Sequence, residues 1–327
     1  MENRVCEILG IEKPIIQGPM NWLTNGEFVG AVSKAGALGV LGINAGQKEI
    51  ARSTEEKIEN MRREISKVKA ITDRPFGINI CPRADDPRQD QLTEGLFELM
   101  VQEKVKVAVM VGGLMPGWVS RFREKGIRVV YRPLDATAEI TEKSLAAGVD
   151  IIVATGFDEG GTLPTRAIGT FSIVPLIVDA AAGRIPVMAA GGITDERTAK
   201  ASFALGAEGL YVGTAFMMSE ECPLADNIKT MAKNVDAHDL IMYRTIPAFY
   251  RSLRGELPEK LLKMSEAGAS EEEIFKAQNA YVGMRDGMLF GDLSRGYASF
   301  GLGISLIRKI EPVSEIISRL MKGISDI

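Results

Sequence analysis

Residues Ile185–Thr214 read IPVMAAGGITDERTAKASFALGAEGLYVGT. The stretch divides into an apolar strand (Pro186–Ala190), a Gly191-Gly192 turn, one helix, a second apolar strand (Gly209–Val212) and a Gly213-Thr214 turn. Both strands are short, apolar and flanked by glycine, the pattern of parallel strands buried on both faces. Thr194 stands where a helix needs an N-cap, and Ala199, Phe203 and Ala204 then share one helix face. Each strand runs out into small residues whose backbone N–H groups an anion can approach closely. A single Gly-Gly pair reads as a tight turn and nothing more. Two glycine turns, one strand–helix unit apart, match the phosphate pocket that follows the last two strands of a (β/α)8 barrel. The stretch therefore predicts a phosphorylated ligand, on condition that the rest of the chain builds a barrel.

Six further apolar runs precede it: Pro14–Gly18, Ala37–Leu41, Pro75–Ile80, Val105–Val111, Ile127–Tyr131 and Asp150–Ala154. Amphipathic segments separate them. Ile58, Met61, Ile65 and Val68, for example, fall at spacings of three and four within a charged stretch, the mark of a helix with one wet face. Eight strand–helix units in alternation argue for an α/β TIM barrel rather than an open doubly wound sheet. From Glu220 onward the strand rhythm is lost, and the tail reads as the helices Leu224–Val235, Leu257–Glu266, Glu271–Tyr281 and Ile304–Met321. The expected organisation is a barrel over residues 1–219, a helical cap over 220–303 and a C-terminal helix returning to the barrel over 304–327.

Bulk composition narrows the function. The 327 residues are 46% hydrophobic and 25% charged, with a net charge of −4, ordinary for a soluble globular chain and unsuited to nucleic acid or an anionic membrane. Three scattered cysteines (Cys6, Cys81, Cys222) and one histidine, His238, offer neither a disulfide framework nor a metal-ligand cluster. The charged start MENRVCEILGIEK has no signal-peptide pattern, and no run reaches the ~18 apolar residues that a membrane span needs. A cytoplasmic enzyme with a small-molecule substrate is expected, and a homodimer is compatible with the sequence.

In this fold the chemistry sits at the C-terminal ends of the strands. Those ends are Gly18-Pro19-Met20, Gly42, Asn79, Gly112-Gly113, Arg132, Gly156 to Thr162, Gly191-Gly192 and Gly213-Thr214. They include no lysine for a Schiff base and no carboxylate–histidine set for a metal. A site rich in glycine and poor in acids, bases and nucleophiles suits a cofactor that carries the chemistry itself. FMN fits, because its flat ring asks for backbone donors and an amide and its tail supplies the phosphate.

The chain resembles the nitronate monooxygenase (2-nitropropane dioxygenase) family and the related flavin-dependent enoyl-ACP reductases. The resemblance rests on PIIQGPM, AVSKAGALGVLG, PFGINI, the Gly156–Gly161 segment, PVMAAGGI, GAEGLYVGT and the late GDLSRG, and covers nearly the whole chain. It implies a TIM barrel with FMN. Gly18, Pro19 and Met20 would face the ring, Asn79 would hydrogen-bond it, and Gly160 and Gly161 would line it. Gly191, Gly192, Gly213 and Thr214 would hold the phosphate. Arg132 lies near the N1–O2 edge in the resemblance, where a cation stabilises the reduced ring.

The chain departs from the family at the catalytic position. Where the family has His after the Gly-Gly pair, this sequence has Thr162; the family's Glu two residues before the pair is Asp158, Glu159 replaces Ala, and Leu302 replaces a late Gln. Thr162 and Asp158 are therefore the candidate catalytic positions. Acidic residues on such a loop are otherwise solvated or paired with a neighbour such as Arg166. A nitronate arrives already deprotonated and needs no base, whereas an enoyl reductase needs a proton donor beside its hydride. The expected activity is FMN-dependent oxidation of alkyl nitronates with O2. The alternative is enoyl-thioester reduction with NAD(P)H as electron donor, and a non-flavin phosphosubstrate isomerase or lyase and a flavin-holding protein without turnover stay open.

Overall fold

The computed structural model describes residues 3–83 and 85–324. Residues 1, 2, 84 and 325–327, which include the outer ends of the 1–219 and 304–327 units and one position of the loop after the third strand, lie outside the described residues. The strands in chain order are β1 (Ile15–Gln17), β2 (Gly39–Leu41), β3 (Phe76–Ile80), β4 (Val107–Val111), β5 (Arg128–Arg132), β6 (Ile151–Thr155), β7 (Gly161–Leu163), β8 (Val187–Ala190), β9 (Gly209–Val212), β10 (Ile241–Arg244) and β11 (Phe249–Ser252). Eight of these pair in parallel in the order β1-β9-β8-β6-β5-β4-β3-β2. A parallel bridge between Ile16 and Leu38 joins β1 to β2 and closes the ring. The fold is the expected (β/α)8 barrel.

Side chains alternate across the barrel wall, as the two-residue period of a strand requires. Val107, Val109, Val130, Ile151, Val153 and Met188 fill one cluster with Ile16 and Val40. Their neighbours Ala108, Met110 and Val129, and Ile152, Ala154 and Val187, belong to two other clusters that the surrounding helices cover. The first set is the barrel interior. Val5 and Leu9 of the helix Arg4–Leu9 join the interior cluster, while Asn3 caps that helix by accepting from the Cys6 amide.

The tail differs from its expected all-helical form. β10 and β11 make an antiparallel hairpin, and β11 pairs in turn with β7, which continues from the glycine-rich segment after β6. The alternation of buried Ile241 and Tyr243 with exposed Met242 and Arg244 is the strand signature there. The predicted helix Ile304–Met321 is two elements, a 3-10 turn at Leu302–Leu306 and a helix at Val313–Lys322. Pro312 divides them, because it lacks the N–H that a continuous helix would use. Val313–Lys322 packs its buried Ile316, Ile317 and Leu320 against the helices Glu196–Ala204 and Gly26–Lys34.

Three tyrosines hold the hairpin down. Tyr250 meets Tyr297 edge-on at 4.9 Å and stacks on Tyr243 at 6.2 Å between ring centroids. All three rings are buried, but the Tyr243 and Tyr250 hydroxyls have no hydrogen-bond partner. The ring carries most of the stabilisation. Tyr250→Ala is therefore expected to cost about 3–5 kcal/mol in urea unfolding, whereas Tyr250→Phe leaves stability unchanged or slightly raised. Equal losses in the two variants would show that the hydroxyl is bonded.

Candidate active site at the strand ends

The inward alternation ends in a polar layer. Continuing each barrel strand by two residues beyond its apolar interior brings in Asn79, Arg132 and Thr155, with Tyr211 beside them on β9. Asn79 Nδ2 donates to the Val109 carbonyl at 3.1 Å, and Cys81 Sγ lies 3.7 Å from Asn79 Oδ1. Burial pushes the Cys81 thiol up to about 11, so it stays protonated at neutral pH. Gly18, whose amide donates to the Val212 carbonyl at 2.9 Å, packs against the Tyr211 ring and has no room for a Cβ. Pro19 and Met20 are half-buried beside it, with Met20 tied to Thr24.

Arg132 forms an ion pair with Glu159, from the turn after β6, and each side chain keeps only 11% of its surface exposed. The partner that proximity along the chain suggested, Arg166, instead lies in the segment whose amides bond Asp135. Glu159 uses Oε2 toward Arg132, while Oε1 is buried with no partner. Burial pushes the Glu159 carboxyl up from 4.5 to about 7, against the opposing pull of Arg132. A second arginine, Arg251 of β11, donates to the Phe157 carbonyl at 3.0 Å and to the Glu159 carbonyl, with its guanidinium 5.3 Å from the Phe157 ring centroid. Two buried cations thus clamp the turn from side chain and backbone.

Asp158 faces another way. Its Oδ2 accepts from the Thr170 amide at 2.7 Å and the Thr170 hydroxyl at 2.9 Å, at the start of the helix Thr170–Ala181. Thr162 lies on β7 opposite Tyr250. The two candidate catalytic residues therefore sit on different sides of the Gly160-Gly161 pair, Asp158 bonded to a helix start and Thr162 on β7 beside the hairpin.

The glycine turns converge. Gly191 and Gly192 both take positive φ (103° and 71°), and a Cβ on Gly191 would lie 2.8 Å from the Gly156 carbonyl and from Thr170 Oγ1. Thr214 opens the short helix Thr214–Met217, and its Oγ1 accepts from the Gly301 amide at 2.9 Å. A Cβ on Gly160 would lie 2.6 Å from that same amide, and one on Gly303 would lie 3.0 Å from the Gly192 carbonyl. The Leu302 amide donates to the Asp158 carbonyl at 2.9 Å. The segment Phe300–Gly303 thus runs across the turns after β6, β8 and β9. Beside Gly213 the direction of a Cβ is open, with no atom within 4 Å.

His238 is fully exposed on its own 3-10 turn beside Asp236. Sequence reasoning missed Ser299 and Thr155, whose buried hydroxyl oxygens have no partner. Period-two alternation at Ile241–Arg244 was the available signal for the hairpin that carries Tyr250.

A family model described as nitronate monooxygenase matches residues 2–323. A (3aS,4S,5R,7aS)-5-hydroxy-7a-methyl-1-oxo-octahydro-1H-indene-4-carboxyl-CoA dehydrogenase of Mycobacterium tuberculosis is 33% identical over 265 residues, 80% of this chain and 69% of that protein. A nitronate monooxygenase of Pseudomonas aeruginosa is 31% identical over 261 residues, 68% of this chain and 70% of that one. The solved structure of FabK from Thermotoga maritima superposes with a TM-score of 0.85 at 30% identity, covering 100% of this chain and 97% of that one.

The Glu159 carboxyl gives the fold a pH signature. Its folded-state affinity for the proton is raised, so the stability it contributes is present below about 4.5 and is lost as the pH rises through about 7. Denaturant midpoints of wild type and Glu159→Gln, measured across that window, are expected to differ in slope, with wild type falling more steeply. Parallel profiles would mean that Glu159 titrates in the folded protein as it does in the unfolded chain.

Proposed function

We propose a reaction for a chain that belongs to the nitronate monooxygenase family and is an oxidoreductase: it carries FMN across the strand ends and oxidises alkyl nitronates with O2. The observation that supports this reading is the meeting, at one end of the barrel, of the glycine turns with a buried arginine. The residues fit the cofactor. Open space beside Gly213, and the unpartnered buried oxygen of Thr155, are what a polar ligand would occupy and satisfy. Backbone amides of Gly191, Gly192, Gly213 and Thr214 would hold the phosphate. Asn79 and the backbone at Gly18, Pro19 and Met20 would meet the ring, with Gly160 and Gly161 along it and Arg132 toward its anionic edge. When bound, FMN supplies the acceptor for two electrons from the substrate and passes them to O2.

The protein's own contribution is then placement. A nitronate already carries the negative charge that a base would otherwise create, so the loss of histidine at Thr162 costs this substrate little. Thr162 orients a substrate oxygen without ionising. Asp158, with Oδ2 already accepting two hydrogen bonds from Thr170, fixes the loop between β6 and the helix Thr170–Ala181. Unpaired Cys6, Cys81 and Cys222 accord with work in a reducing cytoplasm.

A second reading, NAD(P)H-dependent reduction of an enoyl thioester, draws support from the full-length match to FabK and from the relative named as a carboxyl-CoA dehydrogenase, whose substrate is a CoA thioester. It requires a proton donor, and Thr162 is a poor one.

Anaerobic addition of an alkyl nitronate to the purified, flavin-loaded protein is expected to bleach the flavin band, with NADH and NADPH leaving it unchanged. Bleaching by a pyridine nucleotide instead would select the thioester reductase. Gly213→Leu tests the phosphate site separately. Its Cβ meets no protein atom within 4 Å, so the fold is expected to persist while FMN affinity falls at least tenfold. Undiminished binding in the folded variant would remove Gly213 from the phosphate site.

A further inference from the structure

The Arg132–Glu159 pair holds more than a fixed positive charge. With both groups ionised the pair is neutral, and Arg132 offers a neighbouring anion little. With Glu159 protonated the pair carries one net positive charge in the same place. The geometry permits that change without rearrangement, because Oε2 already faces Arg132 whereas Oε1 is buried and has no donor to lose. The groups that face the carboxyl from the surrounding elements are Arg132 on β5, Arg251 and Tyr250 on β11, Tyr211 on β9 and Asp135 in the turn after β5. Cys81, after β3, faces Arg132. Two of these are cations, one is a carboxylate, and the phenols and thiol are held neutral by burial.

We propose that Glu159 is the redox-linked proton acceptor of this site, taking a proton on Oε1 when the neighbouring cofactor becomes an anion and thereby freeing the Arg132 charge to balance it. The inference rests on the reading that FMN lies against Arg132. Two electrons and one proton convert FMN to its anionic reduced form. The second proton goes from solvent to Glu159 Oε1, forming one O–H bond and breaking none in the protein. In turnover the electrons come from an organic carbanion or a hydride donor, and in the test from an electrode. A carboxyl already pushed up to about 7 by burial is poised for that step at neutral pH. Glu159 thus acts on the cofactor through Arg132 and is a positioning residue.

The test reads protons rather than turnover. The reduced-minus-oxidised infrared spectrum of the flavin-loaded protein, taken just above neutral pH, is expected to show the C=O stretch of a newly protonated carboxyl, absent from Glu159→Gln. Spectroelectrochemical titration is expected to give a flavin midpoint potential that falls, through the same window, by about 60 mV per pH unit in wild type and about 30 mV in Glu159→Gln, one proton being worth about 30 mV in a two-electron couple. Should Glu159→Gln alone misfold around an unpaired buried arginine, the double variant Arg132→Gln/Glu159→Gln removes both charges and is expected to show the shallow slope with no carboxyl band. A flavin-loaded wild type without the band, or a variant that keeps band and slope, overturns the proposal. A wild-type protein that neither holds nor takes up FMN overturns the cofactor reading, and this inference falls with it.

Discussion

A closed barrel of parallel strands sends every second side chain inward, and the rest of this molecule follows from how that interior is filled. Valine, isoleucine and methionine fill it from the Arg4–Leu9 helix upward. The outward neighbours are just as apolar because helices cover them, so the strands read as unbroken hydrophobic runs. At the C-terminal ends the same alternation still dictates direction, but polar residues replace apolar ones. Asn79, Arg132 and Thr155 face the barrel axis because Gly77, Val130 and Val153 do so two positions earlier. The site is the last layer of the core, and its rigidity is that of the core.

Much of the polar layer over the apolar interior is paired internally. Arg132 takes Glu159 and Asn79 takes a strand carbonyl. Arg251 reaches from the hairpin to two carbonyls of the turn after β6. That last contact and the pairing of β7 and β11 bind the tail to the barrel mouth, together with the Gly301 and Leu302 amides. A buried ion pair gives little net stability, since desolvation offsets most of its attraction. Its persistence here accords with a role in charge placement rather than in holding the fold.

The barrel was legible in the sequence because its strands are apolar runs, most of them closed by a small residue, separated by amphipathic segments. The hairpin was not, because its strands are four residues long, carry as many polar as apolar residues, and lie among charged helices. The split at Pro312 was masked by an apolar periodicity that continues on either side. At the site, Arg132 was visible as a strand-end cation but its partner was not. Glu159 lies 27 residues on in the chain, and only the side-by-side pairing of β5 with β6 brings them together. Asp158 was visible as an acid, while its bonds to Thr170 depend on where the next helix begins.

The course of Phe300–Gly303 also makes the upper rim a single mechanical unit. The turns after β6, β8 and β9 are knit together by the amides of Gly301 and Leu302, which come from a segment distant in sequence. Local opening of that one segment would release all three turns together. The rim would then loosen as a whole rather than turn by turn.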